Sequence, residues 1–445
     1  MQITRREFLA AAPAAAAPSG RQPNVMLLMS DQQHWKAAGF MDRFFETPNL
    51  DRLANESACF EYSFCSTPQC SPSRSSIFTG CYPSRTGVYG NTGSEGGNDL
   101  KMKTVGARLR EAGYQTAYFG KWHLGNDATA NAGWNEELKQ QGDPEVTRRA
   151  VEFLRRQQPG GKPFLMVTSY INPHDVYEFR PGKDTAGGPV TLSKSWQEEG
   201  FANKPPIQKQ FMTEDQGSLI WEKDRRTWEA YREFYRHKTA LYDAEIGRLL
   251  DALRERGLDG ETIVIATSDH GDMDTNHKLI FKGPFMYEHM VRIPLVVRVP
   301  KAFGGRTPGR VAGFDAVNVD ITPTLLDFAG LPAGDCQGQS LKPVLTGASM
   351  RNRPFVISEY YSKQKWVNPI RMIRTRELKY NLHIRHGEEF YDLRNDPDEL
   401  RNLASDAGFA KRKAELRAEL ERWMKSNSDP FFTFQSTGRN GKPLT

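Results

Sequence analysis

Short apolar runs that each end in polar residues are the feature that most restricts the fold of this 445-residue chain. The first run spans residues 24–30, and its unbroken apolar character is typical of a strand buried on both faces of a parallel sheet. Similar runs occur at 115–119, 164–169, 262–267 and 293–299. Helical patterns such as 228–256 fall between them. This alternation predicts an α/β fold, with a mostly parallel central sheet sandwiched by helices.

The pattern changes near residue 338. Beyond it, short strand-like stretches at 354–361, 371–382 and 388–393 precede a charged helical pattern at 410–425. We therefore expect a catalytic domain at 21–337 and a smaller C-terminal subdomain with an antiparallel sheet at 338–445. The stretch 175–226 is polar, contains Gly and Pro, and lacks periodicity, so we expect it to be a long surface insertion.

The first twenty residues have the features of a targeting segment. Arg5 and Arg6 precede a short apolar run and small residues that suit signal cleavage, an order that resembles the twin-arginine export signal. The apolar run is too short to span a bilayer, and no later segment contains 18 uncharged apolar residues. We expect residues 1–20 to be removed, leaving an exported protein, periplasmic or extracellular, that has no integral membrane segment.

Charge and cysteine content restrict the possible partners. The formal charge of +6 comes from 60 basic and 54 acidic residues that are dispersed along the chain, which does not indicate a nucleic-acid groove. No two of the five cysteines are spaced as CxxC, so a zinc or thioredoxin-like site is not favoured. In an oxidising compartment, one pair among Cys59, Cys65 and Cys81 is a candidate disulfide, the sequence leaves open whether it forms, and at least one of the five cysteines stays unpaired.

The residues just past the strands carry the chemistry, because ligand sites in open α/β sheets lie at the carboxyl ends of the strands. In chain order these residues are Asp31, Gln32, His34, Lys121, His123, His174, Asp269, His270, His277 and Lys282. Carboxylates, an amide and an imidazole suit a divalent cation, whereas lysines and histidines suit an anion. Any one of them alone is more typical of a turn or a helix cap. Their joint occurrence at several strand ends predicts a metal-dependent site for an anionic substrate.

Residues 70–74 read CSPSR, which matches Cys-x-Pro-Ser-Arg, the signature of the type I sulfatases in the alkaline-phosphatase superfamily. TPNLDRLA, GKWHLG, SDHG, DITPTLLDFAG and FYDLRNDPDELRNLA also resemble this family, so the likeness covers nearly the whole mature chain. The resemblance implies an alkaline-phosphatase-like fold and hydrolysis of a sulfate ester to an alcohol and inorganic sulfate. It also implies that a formylglycine-generating enzyme oxidises Cys70 to formylglycine before the protein folds.

The resemblance also implies roles for individual residues. It implies a metal-binding set: Asp31, Gln32, Cys70, Asp269 and His270. It implies a catalytic set that holds the formylglycine hydrate, binds the sulfate oxygens and transfers protons: Cys70, Arg74, Lys121, His123, His174 and Lys282. One hydroxyl of the hydrate would attack sulfur and release the alcohol, and a base such as His123 would deprotonate the second hydroxyl so that sulfate is expelled.

Two positions depart from the usual family pattern. Many members have two adjacent aspartates where this chain has Asp31 and Gln32, and an asparagine where it has His270. The first change removes a negative charge, and the second places nitrogen where Ca²⁺ prefers oxygen. We expect Ca²⁺, with Mn²⁺ or Mg²⁺ as alternatives.

The same departures occur in relatives that hydrolyse phosphonate monoesters and phosphodiesters, which is the main alternative function. Such relatives usually carry tyrosine and threonine in place of Lys121 and His123, so this chain favours the sulfatase reaction. A second alternative is a non-catalytic sulfatase-like binding protein with unmodified Cys70. The motifs concern only the sulfate group of a sulfated small molecule or saccharide. Candidates for contacting the rest of the substrate are Asn91, His277 and His34.

Overall fold

The computed structural model describes residues 20–93, 97–125, 133–139, 141–437 and 440–443. The expected export signal lies outside the described residues except for Gly20. No helix in these described ranges is both long enough and apolar enough to cross a bilayer.

The larger of the two sheets in the described residues contains the strands whose ends carry the polar residues predicted above. Its strands are β1 (Asn24–Asp31), β2 (Ala58–Phe64), β3 (Gln115–Gly120), β4 (Glu136–Lys139), β5 (Phe164–Pro173), β6 (Thr262–Ser268), β7 (Leu295–Arg298) and β8 (Gly309–Val317). They lie in the order β4-β3-β5-β1-β6-β7-β2-β8. All neighbouring pairs are parallel except β6 with β7 and β2 with β7. The predicted mostly parallel sheet is therefore confirmed, with one antiparallel strand inserted in it.

Helices cover both faces of this sheet. In the described part of the chain they are α1 (Pro48–Asn55), α2 (Cys70–Thr79), α3 (Pro83–Thr86), α4 (Val105–Glu111), α5 (Asp143–Arg155), α6 (Lys194–Glu198), α7 (Pro206–Glu214), α8 (Arg225–Glu255), α9 (Glu288–Val291), α10 (Ile321–Phe328), α11 (Lys342–Leu345) and α12 (Ala410–Ser426). Short 3-10 turns lie at His174–Glu178, Gln216–Leu219, Asp259–Glu261, Asn276–Lys278, Lys301–Phe303, Asn318–Asp320, Ala407–Phe409 and Phe431–Thr433.

The central strand β1 shows why its apolar run is continuous. Successive side chains of a strand point to opposite faces of the sheet. Val25, Leu27 and Met29 pack in the apolar cluster that contains residues of α2, α4 and α10. Met26 and Leu28 pack on the other face, in the cluster that contains residues of α1, α5 and α8. Because both faces are covered, every residue of β1 is buried, and the strand shows no apolar-polar alternation.

The smaller sheet confirms the antiparallel C-terminal subdomain. Its strands are β9 (Val356–Lys363), β10 (Trp366–Arg374), β11 (Leu378–His383) and β12 (Glu388–Asp392), in the order β12-β11-β10-β9 and all antiparallel. The stretch 371–382, which reads as one run, is divided between β10 and β11. Leu420 and Met424 of α12 are buried in the cluster that contains residues of this sheet.

The prediction that 175–226 is a surface insertion holds only in part, because exposed stretches such as 222–226 alternate with buried residues. Phe179, Phe211 and Met212 are fully buried and belong to the same apolar cluster as the C-terminal sheet. Two of its polar side chains also face inward: Lys204 Nζ donates to Glu399 O (2.5 Å), and Gln208 Nε2 donates to a Glu389 oxygen (2.9 Å). The segment therefore fastens the subdomain to the main domain. Its polarity reflects both exposed residues and a few buried hydrogen bonds.

The candidate disulfide among Cys59, Cys65 and Cys81 is not formed, and the five cysteines are free in the structure. Cys59 packs in the apolar cluster of α1, α5 and α8. Cys65 belongs to the separate cluster that includes the C-terminal sheet. Cys81 lies beside Asp335, whose carbonyl oxygen is 3.4 Å from its sulfur. Residues close in sequence are thus directed into separate regions of the fold.

Candidate active site

The central strands of the larger sheet, in the order β3-β5-β1-β6, are mutually parallel. Their carboxyl ends therefore meet at one edge of the sheet. Asp31 ends β1, Lys121 follows β3, His174 follows β5 and Asp269 follows β6. The sheet thus brings together four of the polar residues found at the predicted strand ends.

Helix α2 delivers Cys70 to the same edge. Cys70 is the first residue of the helix, and the preceding residue, Gln69, is extended at φ −146° and ψ 138°. Every residue of α2 is buried. The Ser73 hydroxyl donates to Asp269 O, and Asn318 Nδ2 donates to Ser73 Oγ (2.7 Å). The sulfur of Cys70 therefore lies at a helix N-terminus, whose free N–H groups and dipole favour negative charge.

Arg74, one helical turn after Cys70, joins the two carboxylates. Its Nε donates to Asp269 Oδ2 (2.9 Å), and Nη2 donates to Asp31 Oδ2 (3.0 Å). Its Nη1 donates to Ser169 Oγ (2.6 Å) and to Lys121 O (2.6 Å). All of these side chains except Lys121 are fully buried. The planar guanidinium thus holds β1, β3, β5 and β6 in register at the site.

Four donor groups meet at the centre of the site. Each of four residues offers one ligand atom, and these four atoms lie within 4.8 Å of one another. The residues are Asp31, Cys70, Asp269 and His270. Cys70 Sγ lies 3.1 Å from His270 Nε2 and 3.8 Å from Asp31 Oδ1. Burial and the neighbouring Asp31 raise the pKa of Asp269. Two buried carboxylates beside a sulfur and an imidazole nitrogen are a donor set that fits a divalent cation.

The ring of His270 is oriented as a metal-ligating imidazole requires. Its Nδ1 lies 2.9 Å from Gly271 O. Because a carbonyl oxygen only accepts, Nδ1 carries the proton, and Nε2 faces Cys70 and the carboxylates. Burial would lower the pKa of His270, but Asp269 and Cys70 outweigh burial and raise it. The imidazole therefore belongs to the charged cluster.

Lys121 and Lys282 place positive charge around Cys70. Lys121 Nζ contacts Asp31 Oδ2 and lies 3.8 Å from Cys70 Sγ. Burial and Asp31 would raise the pKa of Cys70, but Lys121, Lys282 and His270 together hold it well below the usual range. Burial would also raise the pKa of Asp31, yet Lys121 and the other nearby cations hold it well below its usual range. The site thus stabilises an anion at the position of Cys70.

His174 follows β5 at the same edge of the sheet as Lys121. Burial lowers its pKa well below the usual value, and Lys121 and Lys282 lower it further. Its ring centroid is 4.8 Å from that of Tyr177. The ring is therefore neutral at pH 7, and it offers an N–H group rather than a charge.

Gln32 is held by a residue that the strand-end analysis omitted. Its Nε2 donates to Asp272 Oδ2 (2.6 Å), and its Oε1 accepts from Lys282 Nζ (2.6 Å). The Asp272 carboxylate only accepts, so it fixes which end of the Gln32 amide faces Lys282. Asp272 is the residue directly after SDHG. Counting one more residue past the end of this strand would therefore have included it among the candidates. Ser169, at the end of the predicted strand, could have been found in the same way.

Two further side chains near the site lie in segments that sequence reasoning did not connect with it. Lys363 of β9 donates to Lys282 O. Burial, followed by the charge of Lys282, lowers the pKa of Lys363 to about 7. Tyr177, three residues after His174, is half-buried, and its ring stacks on Phe281 with ring centroids 4.0 Å apart. No local signal in the sequence links β9 with the strand ends, because the contact is made by tertiary packing.

Of the three candidates for contacting the rest of the substrate, one lies at the site and two do not. Asn91 Oδ1 accepts from the backbone N–H of Ser71 (3.0 Å), so it lies beside the start of α2. His34 and His277 are 1% and 2% exposed. Their ring nitrogens face Asp274 at 3.3 Å and Glu199 at 2.9 Å. The structure therefore brings Asn91 to the site but buries His34 and His277 among other partners.

The structure places His123 in the loop after β3. Its backbone has a φ of 57°, so the segment after Lys121 does not continue as an extended strand. Its Nδ1 is buried without a hydrogen-bond partner among the described residues. The contact that the resemblance implies between His123 and the hydroxyl of formylglycine at position 70 stays a prediction.

The site combines carboxylates, an imidazole and two lysines at one edge of a mostly parallel sheet. This arrangement is typical of an alkaline-phosphatase-like hydrolase of anionic esters. Family comparisons narrow this class. The sulfatase family matches residues 23–331, and the C-terminal region of N-sulphoglucosamine sulphohydrolase matches residues 276–426. The chain belongs to the sulfatase family and is a sulfuric ester hydrolase.

Similarity to individual proteins extends along nearly the whole chain. It is 27% identical over 447 residues to the Delta 4,5-hexuronate-2-O-sulfatase of Bacteroides thetaiotaomicron, covering 94% of this chain and 92% of that protein. The solved structure of a 2-O GAG sulfatase is similar with a TM-score of 0.84 at 24% identity, covering 94% and 95%. The phosphonate monoester hydrolase of Agrobacterium radiobacter is similar with a TM-score of 0.74 at 21% identity, covering 95% and 99%. Because both structural likenesses concern the fold, the fold alone does not separate sulfate from phosphonate esters.

Proposed function

We propose that this protein is an exported sulfatase that removes sulfate from a carbohydrate, with Cys70, after oxidation to formylglycine, as its nucleophile. One observation carries the proposal. The sulfur of Cys70 lies at a helix N-terminus within 3.8 Å of Asp31 Oδ1, His270 Nε2 and Lys121 Nζ. The side chain of residue 70 thus lies between a carboxylate that can bind a cation and a lysine that can bind an anion.

The metal-binding residues in this proposal are Asp31, Gln32, Asp269 and His270, together with the modified residue 70. Arg74 connects the two carboxylates by donating to both of them. When bound, a divalent cation, Ca²⁺ in first place with Mn²⁺ or Mg²⁺ as alternatives, supplies positive charge beside the formylglycine hydroxyl that attacks sulfur. The chain's own residues provide the rest of the chemistry.

Lys121 and Lys282 bind the sulfate oxygens. Before substrate arrives, their ammonium groups contact Asp31 and Gln32 Oε1. Binding of an anion lets both lysines offer further N–H groups to it, and the positive charge offsets the negative charge that develops on oxygen in the transition state. His174 donates its N–H to the leaving oxygen, and His123 accepts the proton of the second hydroxyl.

The carbohydrate part of the proposal rests on the relatives. The Bacteroides protein, whose alignment covers 94% of this chain, is by its name a hexuronate-2-O-sulfatase. Defined sulfated monosaccharides and oligosaccharides, with desulfation followed by mass, test this assignment. Release of sulfate from 4-nitrophenyl sulfate together with inertness toward the whole saccharide panel would contradict the carbohydrate assignment while leaving the sulfatase reaction intact.

The phosphonate alternative is tested by two matched substrates, an aryl sulfate and an aryl phosphonate monoester with the same leaving group. We expect the higher kcat/KM on the sulfate, because Lys121 and His123 stand where the phosphonate-hydrolysing relatives usually carry uncharged hydroxyl residues. A higher kcat/KM on the phosphonate would reverse the assignment.

The non-catalytic alternative is tested by mass spectrometry of the peptide that contains Cys70. Conversion of cysteine to formylglycine lowers the mass by about 18 Da. A peptide that carries only unmodified Cys70, from a host with the maturation enzyme, would contradict the proposed nucleophile.

A further inference from the structure

Two cysteines outside the catalytic cluster lie next to each other at the C-terminal end of α2. Cys81 Sγ lies 3.8 Å from Thr79 O and 3.4 Å from Asp335 O. Cys336 Sγ lies 3.4 Å from the same Thr79 O. Because both sulfurs contact one carbonyl oxygen, they occupy adjoining positions although the two residues are far apart in sequence.

The backbone holds the two cysteines in this arrangement. The N–H of Gln337 donates to Gly80 O (2.8 Å), and the N–H of Gly338 donates to the same oxygen (3.1 Å). The Gln337 side chain accepts from the N–H of Tyr82 (2.9 Å). Hydrogen bonds therefore join the residues that flank each cysteine in sequence and hold the two segments side by side.

Gly80 makes the close approach possible. Its φ is 74°, the left-handed conformation that ends α2. A Cβ added at Gly80 would lie 2.7 Å from Cys336 Sγ. The absence of a side chain at this residue thus makes room for the Cys336 sulfur beside the helix end.

The other cysteines are directed elsewhere. Cys59 Sγ lies 3.3 Å from Ala54 O, and Cys65 Sγ lies 3.7 Å from Met290 O. Cys70 lies at the opposite end of α2 from Cys81, in the catalytic cluster. Among the five cysteines, these contacts favour the combination of Cys81 with Cys336.

We infer that Cys81 and Cys336 form a disulfide when the protein meets a low-molecular-weight disulfide or a thiol-disulfide oxidoreductase, as in an oxidising compartment. The bond would fasten the C-terminal end of the helix that carries Cys70 to the segment after α10. This inference rests on sulfur positions, and it does not depend on the proposed substrate.

The chemistry is two successive thiol-disulfide exchanges. Cys336 is partly exposed whereas Cys81 is buried, so the Cys336 thiolate attacks the oxidant first. That step forms a mixed disulfide and releases one thiolate of the oxidant. The Cys81 thiolate then attacks the Cys336 sulfur and expels the second thiolate. The two cysteines lose two electrons, the oxidant gains them, and the two thiol protons pass to the released thiolates.

The surroundings of Cys336 set the speed of this reaction. Burial raises the pKa of its thiol to about 11, although the nearby Arg108 opposes this effect. Arg108 Nη1 lies 3.8 Å from the sulfur and also donates to Ala333 O (2.8 Å). Little thiolate exists at pH 7, so we expect uncatalysed oxidation to be slow and to accelerate as pH rises.

The test uses the full chain, purified under reducing conditions and then incubated with oxidised glutathione at pH 8.5. We expect a tryptic peptide pair linked through Cys81 and Cys336, and an intact mass lower by about 2 Da. The melting temperature should rise by about 3–5 °C on oxidation, because the bond closes a long loop in the unfolded chain. The Cys336→Ser variant should lose both effects, and Cys59→Ser, the matched control, should retain both.

Three results would overturn the inference. The first is that Cys81 and Cys336 both remain open to alkylation after denaturation of the oxidised protein. The second is a glutathione adduct on Cys336 with Cys81 still free. The third is a linkage of Cys81 to any other cysteine. The peptide assay compares oxidised with reduced wild-type protein. It therefore decides the question even if the Cys336→Ser variant folds poorly.

Discussion

Replacing Asp272 by asparagine tests how the amide of Gln32 is held in the active site. Asp272 Oδ2 accepts from Gln32 Nε2, while Asp272 Oδ1 accepts from the N–H of Asp274 (2.7 Å). An asparagine that keeps its oxygen toward Asp274 must present its NH2 group to Gln32 Nε2, so two donors face each other. If the Gln32 amide turns over, its NH2 group meets the Lys282 ammonium instead. No arrangement satisfies all the groups.

The cost follows from the kind of hydrogen bond that is lost. A hydrogen bond to a charged group contributes about 1.5–3 kcal/mol. If that energy is used to keep Gln32 Oε1 directed into the site, kcat/KM on an aryl sulfate should fall by about 10- to 150-fold. The affinity of the protein for its activating cation should fall in parallel, because Gln32 belongs to the proposed metal-binding set.

The assay compares Asp272→Asn with Tyr231→Phe. Tyr231 donates to Asp272 Oδ1 at the long distance of 3.4 Å, so its removal should lower kcat/KM by less than about threefold. Cation affinity is read independently from the rise in melting temperature with added Ca²⁺. Wild-type kcat/KM and wild-type cation affinity in Asp272→Asn would refute the positioning role of this residue.

Four further outcomes are expected. Arg74→Lys should lower kcat/KM by more than about 100-fold, because lysine cannot bridge Asp31 and Asp269 as the guanidinium does; activity within tenfold would contradict this. His174→Ala should slow alkyl sulfates more than 4-nitrophenyl sulfate, because the poorer leaving group depends more on the hydrogen bond that the neutral ring donates; equal losses would exclude that role. Treatment with EDTA should abolish turnover and added Ca²⁺ should restore it, whereas activity that survives complete removal of metal, verified by elemental analysis, would exclude a required cation. Lys363→Met should raise the melting temperature more at pH 6 than at pH 9, because burial lowers the pKa of Lys363 to about 7 and the buried charge therefore costs stability most below that pH; a difference independent of pH would contradict this.

The strand ends were predictable from sequence because they depend on local patterns. A continuous apolar run followed by a polar residue identifies a buried parallel strand and its carboxyl end, and the fold confirms this for Asp31, Lys121 and Asp269. Parallel pairing then brings these ends together without further information. Cys70 was recognisable because its motif is a short contiguous stretch.

The direction of each side chain was not predictable in the same way. His34 follows Gln32, whose backbone φ is 69°, and the turned chain directs the ring toward Asp274 instead of the site. Lys363 was missed because β9 contacts the catalytic edge only through tertiary packing. The buried part of 175–226 was missed for the same reason, since Gln208 finds its partner in the C-terminal sheet. Such pairings depend on contacts between segments distant in sequence.

The complete burial of α2 limits the period during synthesis in which Cys70 can be modified. Two of its side-chain and backbone contacts, from Asn318 to Ser73 and from Thr322 to Ile77, join residues 245 positions apart. At about 5–20 residues per second, a ribosome needs roughly 10–50 s to make the chain between them. During that interval the segment around Cys70 has no cover from these residues, and a modifying enzyme has access to it. The yield of any modification of Cys70 then depends on the rate of that enzyme relative to the rate at which the chain folds around α2. Faster translation should leave a larger fraction of the thiol permanently enclosed.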